Sequence, residues 1–231
     1  MGKILPGIFV AFENAKGGVG KSTLTTLFAG YLHMVGKDKG LQIGIVDIDD
    51  VQNSIGTMRL ADKAEAENLD DEYQIMSISS ADFTAQIDFL KETFDIILVD
   101  FPGNLKQPGV VESLIMIDIL IIPFEASKIE VTPTIKFYQF YVENIQSKRE
   151  ALGYKTIVRG LPNRVMPNLI EYKDLVANQD ALPFKLLKNH IPDSRVRFQR
   201  NLSTLLKDFD NNCSGFGEEL ITLIMDYIKQ K

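Results

Sequence analysis

The stretch "ENAKGGVGKSTLTTL", Glu13–Leu27, joins an apolar run to a helix-period segment through a glycine-rich turn with a lysine on either side. The run before it, "GIFVAFEN" (7–14), reads as a buried strand, and "KSTLTTLFAGYLHMV" (21–35) reads as a helix stopped by Gly36. A strand, a glycine turn and a helix in that order make a phosphate-binding loop. Gly17, Gly18 and Gly20, with Val19 between them, let the backbone wrap closely around oxygens, because a residue without Cβ tolerates unusual dihedrals. The N–H groups of the turn and of the helix start then attract an anion. In the G-K-[ST] ending, Lys21 is placed to reach β- and γ-phosphates, Ser22 to put its hydroxyl on Mg²⁺, and Thr23 continues the cradle.

Working outward, apolar runs alternate with helix-period segments along the whole chain. Strands are expected at 41–49, 73–79, 94–100, 118–124 and 154–161, with 182–187 as a candidate for the last. Helices are expected at 58–72, at 81–93, over most of 128–153 with a bend near Pro133, and at 216–231. Near-continuous apolar strands interleaved with helices predict a parallel sheet covered on both faces. The expected fold is an α/β doubly wound domain of seven or eight mostly parallel strands, one domain spanning residues 1–231. The acidic segment 62–72 reads as a solvated helix face.

Composition narrows the function classes. The 231 residues carry a formal net charge of -6, so the chain is not a generic nucleic-acid binder, although a local basic patch is compatible with phosphate binding. Cys213 is the only cysteine, which excludes an internal disulfide and a cysteine-ligated cluster within one chain, and fits a reducing, cytoplasmic setting. No apolar run approaches the roughly 20 residues of a membrane span. The N-terminal "MGKILPGIFV" lacks a signal-peptide pattern, and Pro6 stands where a myristoylation motif needs Ser or Thr.

The loop departs from G-x-x-x-x-G-K-[ST] at its first glycine position, which holds Ala15, and Lys16 follows. The segment "KGGVGKST" (16–23) resembles the deviant phosphate loop of the ParA and MinD ATPases. The resemblance implies that Lys16 crosses a dimer interface to the partner's ATP, a cation acting in trans on the transferring phosphoryl group as an arginine finger does.

Two further motifs follow in the family's order. In "IVDIDDVQNSI" (45–55), Asp47 and Asp49 alternate by two and so point to one side at the strand's carboxyl end. The resemblance implies that Asp49 positions or activates the attacking water and that Asp47 lies near the metal's water shell. Asp50 stands where the commonest family version has proline, and Gln52 falls three residues after Asp49, a D-x-D-x-x-Q spacing; Asp50 reads as a helix cap. The strand in "FDIILVDFPGNL" (94–105) ends in Asp100, which would hold Mg²⁺ through water, while Gly103 offers a backbone N–H to the γ-phosphate. Residues 100–103 also match the D-x-x-G motif of GTPases, but the N-K-x-D segment that recognises guanine is missing after the later strands. Asn163 stands where the family sets an asparagine against adenine, and equally where a turn follows Pro162.

Arg195, Arg197 and Arg200 lie in a basic stretch that reads either as a non-specific DNA contact of the ParA type or as a solubilising face. The last helix lacks the basic polar face of a membrane-binding helix and reads as docked on the core. The resemblance therefore implies an ATP- and Mg²⁺-dependent homodimer that binds DNA non-specifically, is stimulated by a ParB-like adaptor, and takes part in partition, without a membrane. A MinD-like positioning switch acting on a protein partner without DNA stands as the alternative. An ATP-dependent ligase or reductase is the third reading, and Cys213 alone is a poor basis for the reductase's shared cluster.

Overall fold

The computed structural model describes residues 3–48, 54–65, 72–194, 202–205 and 211–230. Six strands, β1 (Ile8–Phe12), β2 (Ile43–Asp47), β3 (Gln74–Ser77), β4 (Ile96–Asp100), β5 (Ile119–Phe124) and β6 (Ile157–Pro162), pair in the order β3-β2-β4-β1-β5-β6. Every pairing is parallel. The helices are α1 (Lys21–Gly36), α2 (Ser54–Glu65), α3 (Ile87–Thr93), α4 (Val110–Leu114), α5 (Lys128–Tyr141), α6 (Ser147–Ala151), α7 (Ile170–Ala177) and α8 (Asn211–Lys229).

The period of two in β1 sorts its side chains between two cores. Ile8, Val10 and Phe12 face Leu24 and Phe28 of α1 and Phe216, Leu220 and Ile224 of α8. Phe9 and Ala11 face the other side, where Phe83, Leu90, Val110, Phe137 and Tyr141 collect. β1, β2, β4 and β5 are buried along their whole length, as the inner strands of a doubly wound parallel sheet require, while the edge strand β3 is partly exposed.

Six strands form among the described residues where seven or eight were expected. The candidate 182–187 runs beside β6 but makes only one bridge, Gly160 to Leu186. There Gly160 N–H donates to Lys185 O and Leu187 N–H to Gly160 O. The next donor along this edge of β6 is Pro162, which has no N–H, so the ladder stops. Contact resumes shifted along the chain, with Ile191 N–H on Pro162 O. Two other details differ. Helix α1 runs into a 3₁₀ turn (Lys37–Lys39), and the left-handed glycine that ends it is Gly40, at φ 77°, not Gly36. The irregularity after α5 is a π-helical turn at Val142–Gln146, while Pro133 sits inside α5.

At the amino ends of the central strands, Asp118 is almost fully buried. One oxygen accepts from Phe9 N–H at 3.0 Å; the other accepts from Arg149 and from the Tyr227 hydroxyl. This pair ties the start of β1 to β5, α6 and α8. Breaking a buried pair from one side strands the remaining charge, at a cost of about 3–5 kcal/mol. Asp118→Ala is expected to lower stability by about that amount in urea denaturation, and a loss below about 1 kcal/mol would show that Arg149 finds another partner.

Candidate functional site

The carboxyl ends of β1, β2, β4 and β5 converge at one edge, the place where parallel α/β sheets bind ligands. After β1 the chain runs through Glu13 and Asn14, both buried, and then turns outward. Ala15, Lys16, Gly17 and Gly18 are exposed. Gly18 and Gly20 have φ of 77° and 92°, in the left-handed region that favours glycine. Gly20 precedes α1, so the free N–H groups of the first helical turn open into the loop.

The two lysines meet different surroundings. Lys21 is 8% exposed, and its ammonium donates to Glu13 Oε1 at 3.0 Å and to Pro102 O at 3.1 Å. Lys16, 44% exposed at the side chain, pairs with Glu130 from the first turn of α5. Glu13 is wholly buried, which pushes its carboxyl up to about 8 even though Lys21 opposes the shift. Desolvation of the charged form is the largest cause, and the neighbouring Asp100 charge adds to it.

Asn14 anchors the loop from beneath. Its Nδ2 donates to Pro123 O and to Thr134 Oγ1, both at 3.0 Å, and its Oδ1 accepts from Lys16 N–H at 3.4 Å. Asn163, from the end of β6, closes the far side by donating to Val19 O at 2.8 Å and accepting from Arg164 N–H at 2.9 Å. Asn163 thus both shapes the turn into Arg164, whose φ is 53°, and props the loop. A Cβ on Gly20 would lie 2.8 Å from the Asn163 amide, so that close approach also requires glycine.

Asp47 and Asp100 are register partners at the ends of β2 and β4, each almost fully buried. Asp47 accepts from Ile55 N–H at 3.3 Å, which ties the strand end to the start of α2. Gly103 approaches Gly17 closely enough that its Cβ position lies 4.0 Å from the Gly17 Cα. Ser22 and Thr23 are half-buried in the first turn of α1. The set of one hydroxyl and two carboxylates offers hard oxygen donors, which suit Mg²⁺. Among the described residues no group of three or more His, Cys, Asp or Glu could hold a metal alone, so phosphate and water oxygens would complete the shell.

The structure thus gathers Lys16, Gly17, Gly18, Val19, Gly20, Lys21, Ser22, Thr23, Asp47, Asp100 and Asn163 at one edge. Asp49 and Asp50, and the arginines Arg195, Arg197 and Arg200, lie outside the described residues. Four residues with structural consequence escape the motif reading: Glu13, Asn14, Glu130 and Thr134. Only Glu13 carried a local signal, a charge at the end of an otherwise apolar strand. Cys213, on α8, is buried in the core that α8 shares with α1.

Residues 8–92 match a family model described as ParA, NUBPL iron-transfer P-loop NTPase. No curated protein sequence matches the chain. The fold is similar to that of a putative plasmid partition protein from Borrelia burgdorferi B31 bound to AMPPNP, with TM-score 0.67, 17% identity, and 97% of this chain and 100% of that one covered. It is also similar to the septum site-determining protein MinD from Pyrococcus horikoshii OT3 complexed with Mg-ADP, with TM-score 0.66, 17% identity, and 96% and 98% covered. A MinC:MinD complex from Aquifex aeolicus gives TM-score 0.65, 16% identity, and 94% and 96% covered. The loop match and these folds together bear out the resemblance to the ParA and MinD ATPases.

Lys21→Ala is expected to abolish measurable Mg-ATP binding in calorimetry, since it removes the main cation from the phosphate cradle. Near-normal affinity would remove the phosphate-loop assignment.

Proposed function

We propose that the chain is a ParA-like, Mg²⁺-dependent ATPase built as one domain over residues 1–231. Two copies sandwich two ATP molecules, and the dimer binds DNA without sequence preference until hydrolysis resets it. The carrying observation is the pair of lysines on one loop. Lys21 is buried toward the interior of its own site, while Lys16 stands exposed on the outer edge, free of the geometry that would bring it to the same phosphates. A cation displayed outward beside a phosphate cradle is suited to act on a second copy's nucleotide.

Each residue then has a role in the reaction. Gly17, Gly18, Val19 and Gly20 supply backbone N–H groups to the phosphates, and Thr23 extends the cradle. Lys21 neutralises β- and γ-oxygens. Ser22, Asp47 and Asp100 would hold Mg²⁺, which when bound would offset the charge on the phosphates. Asp49 orients the attacking water, and Asn163 lies beside the base. The solved relatives bound to AMPPNP and Mg-ADP support the choice of nucleotide and metal. The similarity to a putative plasmid partition protein supports a role in partition of a plasmid, chromosome region or mobile element, and a ParB-like adaptor is part of this reading. The MinC:MinD complex supports the alternative, a switch acting on a protein partner without DNA. No helix among the described residues is long and apolar enough to cross a membrane.

Lys16→Ala is expected to keep nucleotide affinity within about twofold yet lose ATP-dependent dimerisation and hydrolysis, a loss of effects exerted in trans rather than on ground-state binding. Light scattering with ATP checks this, and a variant that dimerises like wild type reduces Lys16 to a surface lysine.

DNA binding is expected to require ATP, to ignore sequence and to fall steeply with salt, because each neutralised phosphate releases counterions. Co-sedimentation with ADP and with ATP, in wild type and in the Arg197→Ala, Arg200→Ala double variant, tests it. Equal binding in both nucleotides contradicts the switch. No binding at low salt with dimerisation intact favours the protein-partner reading.

A further inference from the structure

The phosphate loop is held by two separate sets of contacts. Residues 19–21 are fixed by Asn163 on Val19 O, and by Glu13 and Pro102 O on the Lys21 ammonium. Residues 14–16 are fixed instead by β5 and α5. Glu130 and Thr134 stand four apart on α5, which sets them on one face of the helix. Glu130 pairs with the Lys16 side chain, and Thr134 meets the Asn14 side chain. One helix face therefore grips both ends of the short stretch that carries the exposed lysine.

The polar atoms in this grip match in one sense only. Thr134 is almost fully buried, and its hydroxyl donates to Glu130 O at 2.8 Å. A hydroxyl has a single proton, so toward Asn14 it can only accept. Asn14, buried as well, turns its Nδ2 to Thr134 Oγ1 and to Pro123 O, both at 3.0 Å. Its Oδ1 is left pointing the other way, where it accepts from Lys16 N–H at 3.4 Å. An inverted amide would set oxygen against two acceptors and an N–H against the Lys16 N–H. The acceptor under the Lys16 backbone is thus oriented from α5 and β5, not from the phosphate cradle.

We propose that Thr134 is a positioning residue for Lys16: through Asn14 it sets the lysine for its action on a second copy's nucleotide, while the chain's own nucleotide is held by separate contacts. The proposal rests on reading residues 16–23 as a phosphate loop whose Lys16 acts in trans. Without the Thr134 hydroxyl, Asn14 keeps one acceptor, Pro123 O, about which its side chain can turn. Lys16 lies between exposed Ala15 and Gly17, so its placement relies on Asn14 and Glu130. The contacts of Val19 and Lys21 stay as they are.

The experiment uses the full chain and compares wild type with two variants. Thr134→Val keeps the branched shape and replaces the hydroxyl by a methyl group; Thr134→Ser keeps the hydroxyl. Mg-ADP affinity is measured by calorimetry, ATP-dependent dimerisation by light scattering, and ATP turnover by phosphate release. Thr134→Val is expected to bind Mg-ADP within about threefold of wild type, yet to lose about tenfold in dimer affinity and in turnover, the size of one net hydrogen bond. Thr134→Ser is expected to restore both to within about threefold of wild type. A merely structural threonine would lower Mg-ADP affinity and dimerisation together, or leave both unchanged, and either result overturns the proposal. A serine variant as impaired as the valine variant overturns it too, since the hydroxyl is then not what matters. Should Thr134→Val not fold, Thr134→Ala takes its place; if neither folds, the hydroxyl is a requirement of the fold and the proposal is overturned. Wild type that binds Mg-ADP but stays monomeric with ATP removes the in-trans reading and this proposal with it. Wild type that binds no Mg-ADP removes the phosphate-loop reading itself.

Discussion

Parallel pairing of β1 with β4 on one side and β5 on the other is the constraint from which the site follows. A parallel sheet sends every carboxyl end to the same edge, and the central strand delivers its loop there between two neighbours. With β1 held in that slot, the residues after it land beside Asp100 from β4, Pro123 from β5 and the first turns of α5. The Asp47–Asp100 register is the same constraint carried one strand further. None of these contacts depends on the loop's own glycines; they depend on which strand lies next to which.

That geometry makes the electrostatics of the two lysines unequal. The Lys21–Glu13 pair is almost completely shielded, so its attraction is little screened and any change of partner carries a large cost in desolvation. The Lys16–Glu130 pair is half open to water, where such a pair contributes about 0–1 kcal/mol. A weakly held outer lysine is easily drawn to a competing anion, and a strongly held inner one is not. The same loop therefore combines an outer cation in an open, weak pair with an inner one held in a buried pair.

The interlocked buried charges and the glycine-rich loop occupy opposite edges of the sheet. Asp118, Arg149 and Tyr227 lock the amino ends of the strands, with Asp95 nearby accepting from the backbones of Ile4, Leu5 and Gln42. These carboxylates are each satisfied by several donors, the usual condition for burying a charge. Glu13 at the other edge has one oxygen that no donor among the described residues reaches.

Much of this was legible in the chain's own order. Hydrophobic periodicity located all six strands and the long helices, because burial on one or two faces imposes periods that are local to each segment. The loop at residues 16–23 and the strand-terminal Asp47 and Asp100 were likewise readable, since phosphate chemistry demands particular residues at short, fixed spacings. The seventh strand was over-read because a lone apolar run does not reveal that its neighbour's edge is interrupted by Pro162. Helix α7 and the short α4 were passed over, their amphipathic signal being too brief to stand out. What only the tertiary structure decided is who meets whom. Asn163 props Val19 from 144 residues away, Glu130 reaches Lys16 across 114, and Glu13 lies against Lys21 because the loop folds back on itself. Spacing along the chain determines a segment's conformation and the chemistry it can display, but the partner of a buried charge is set by strand order, which is written in no single segment.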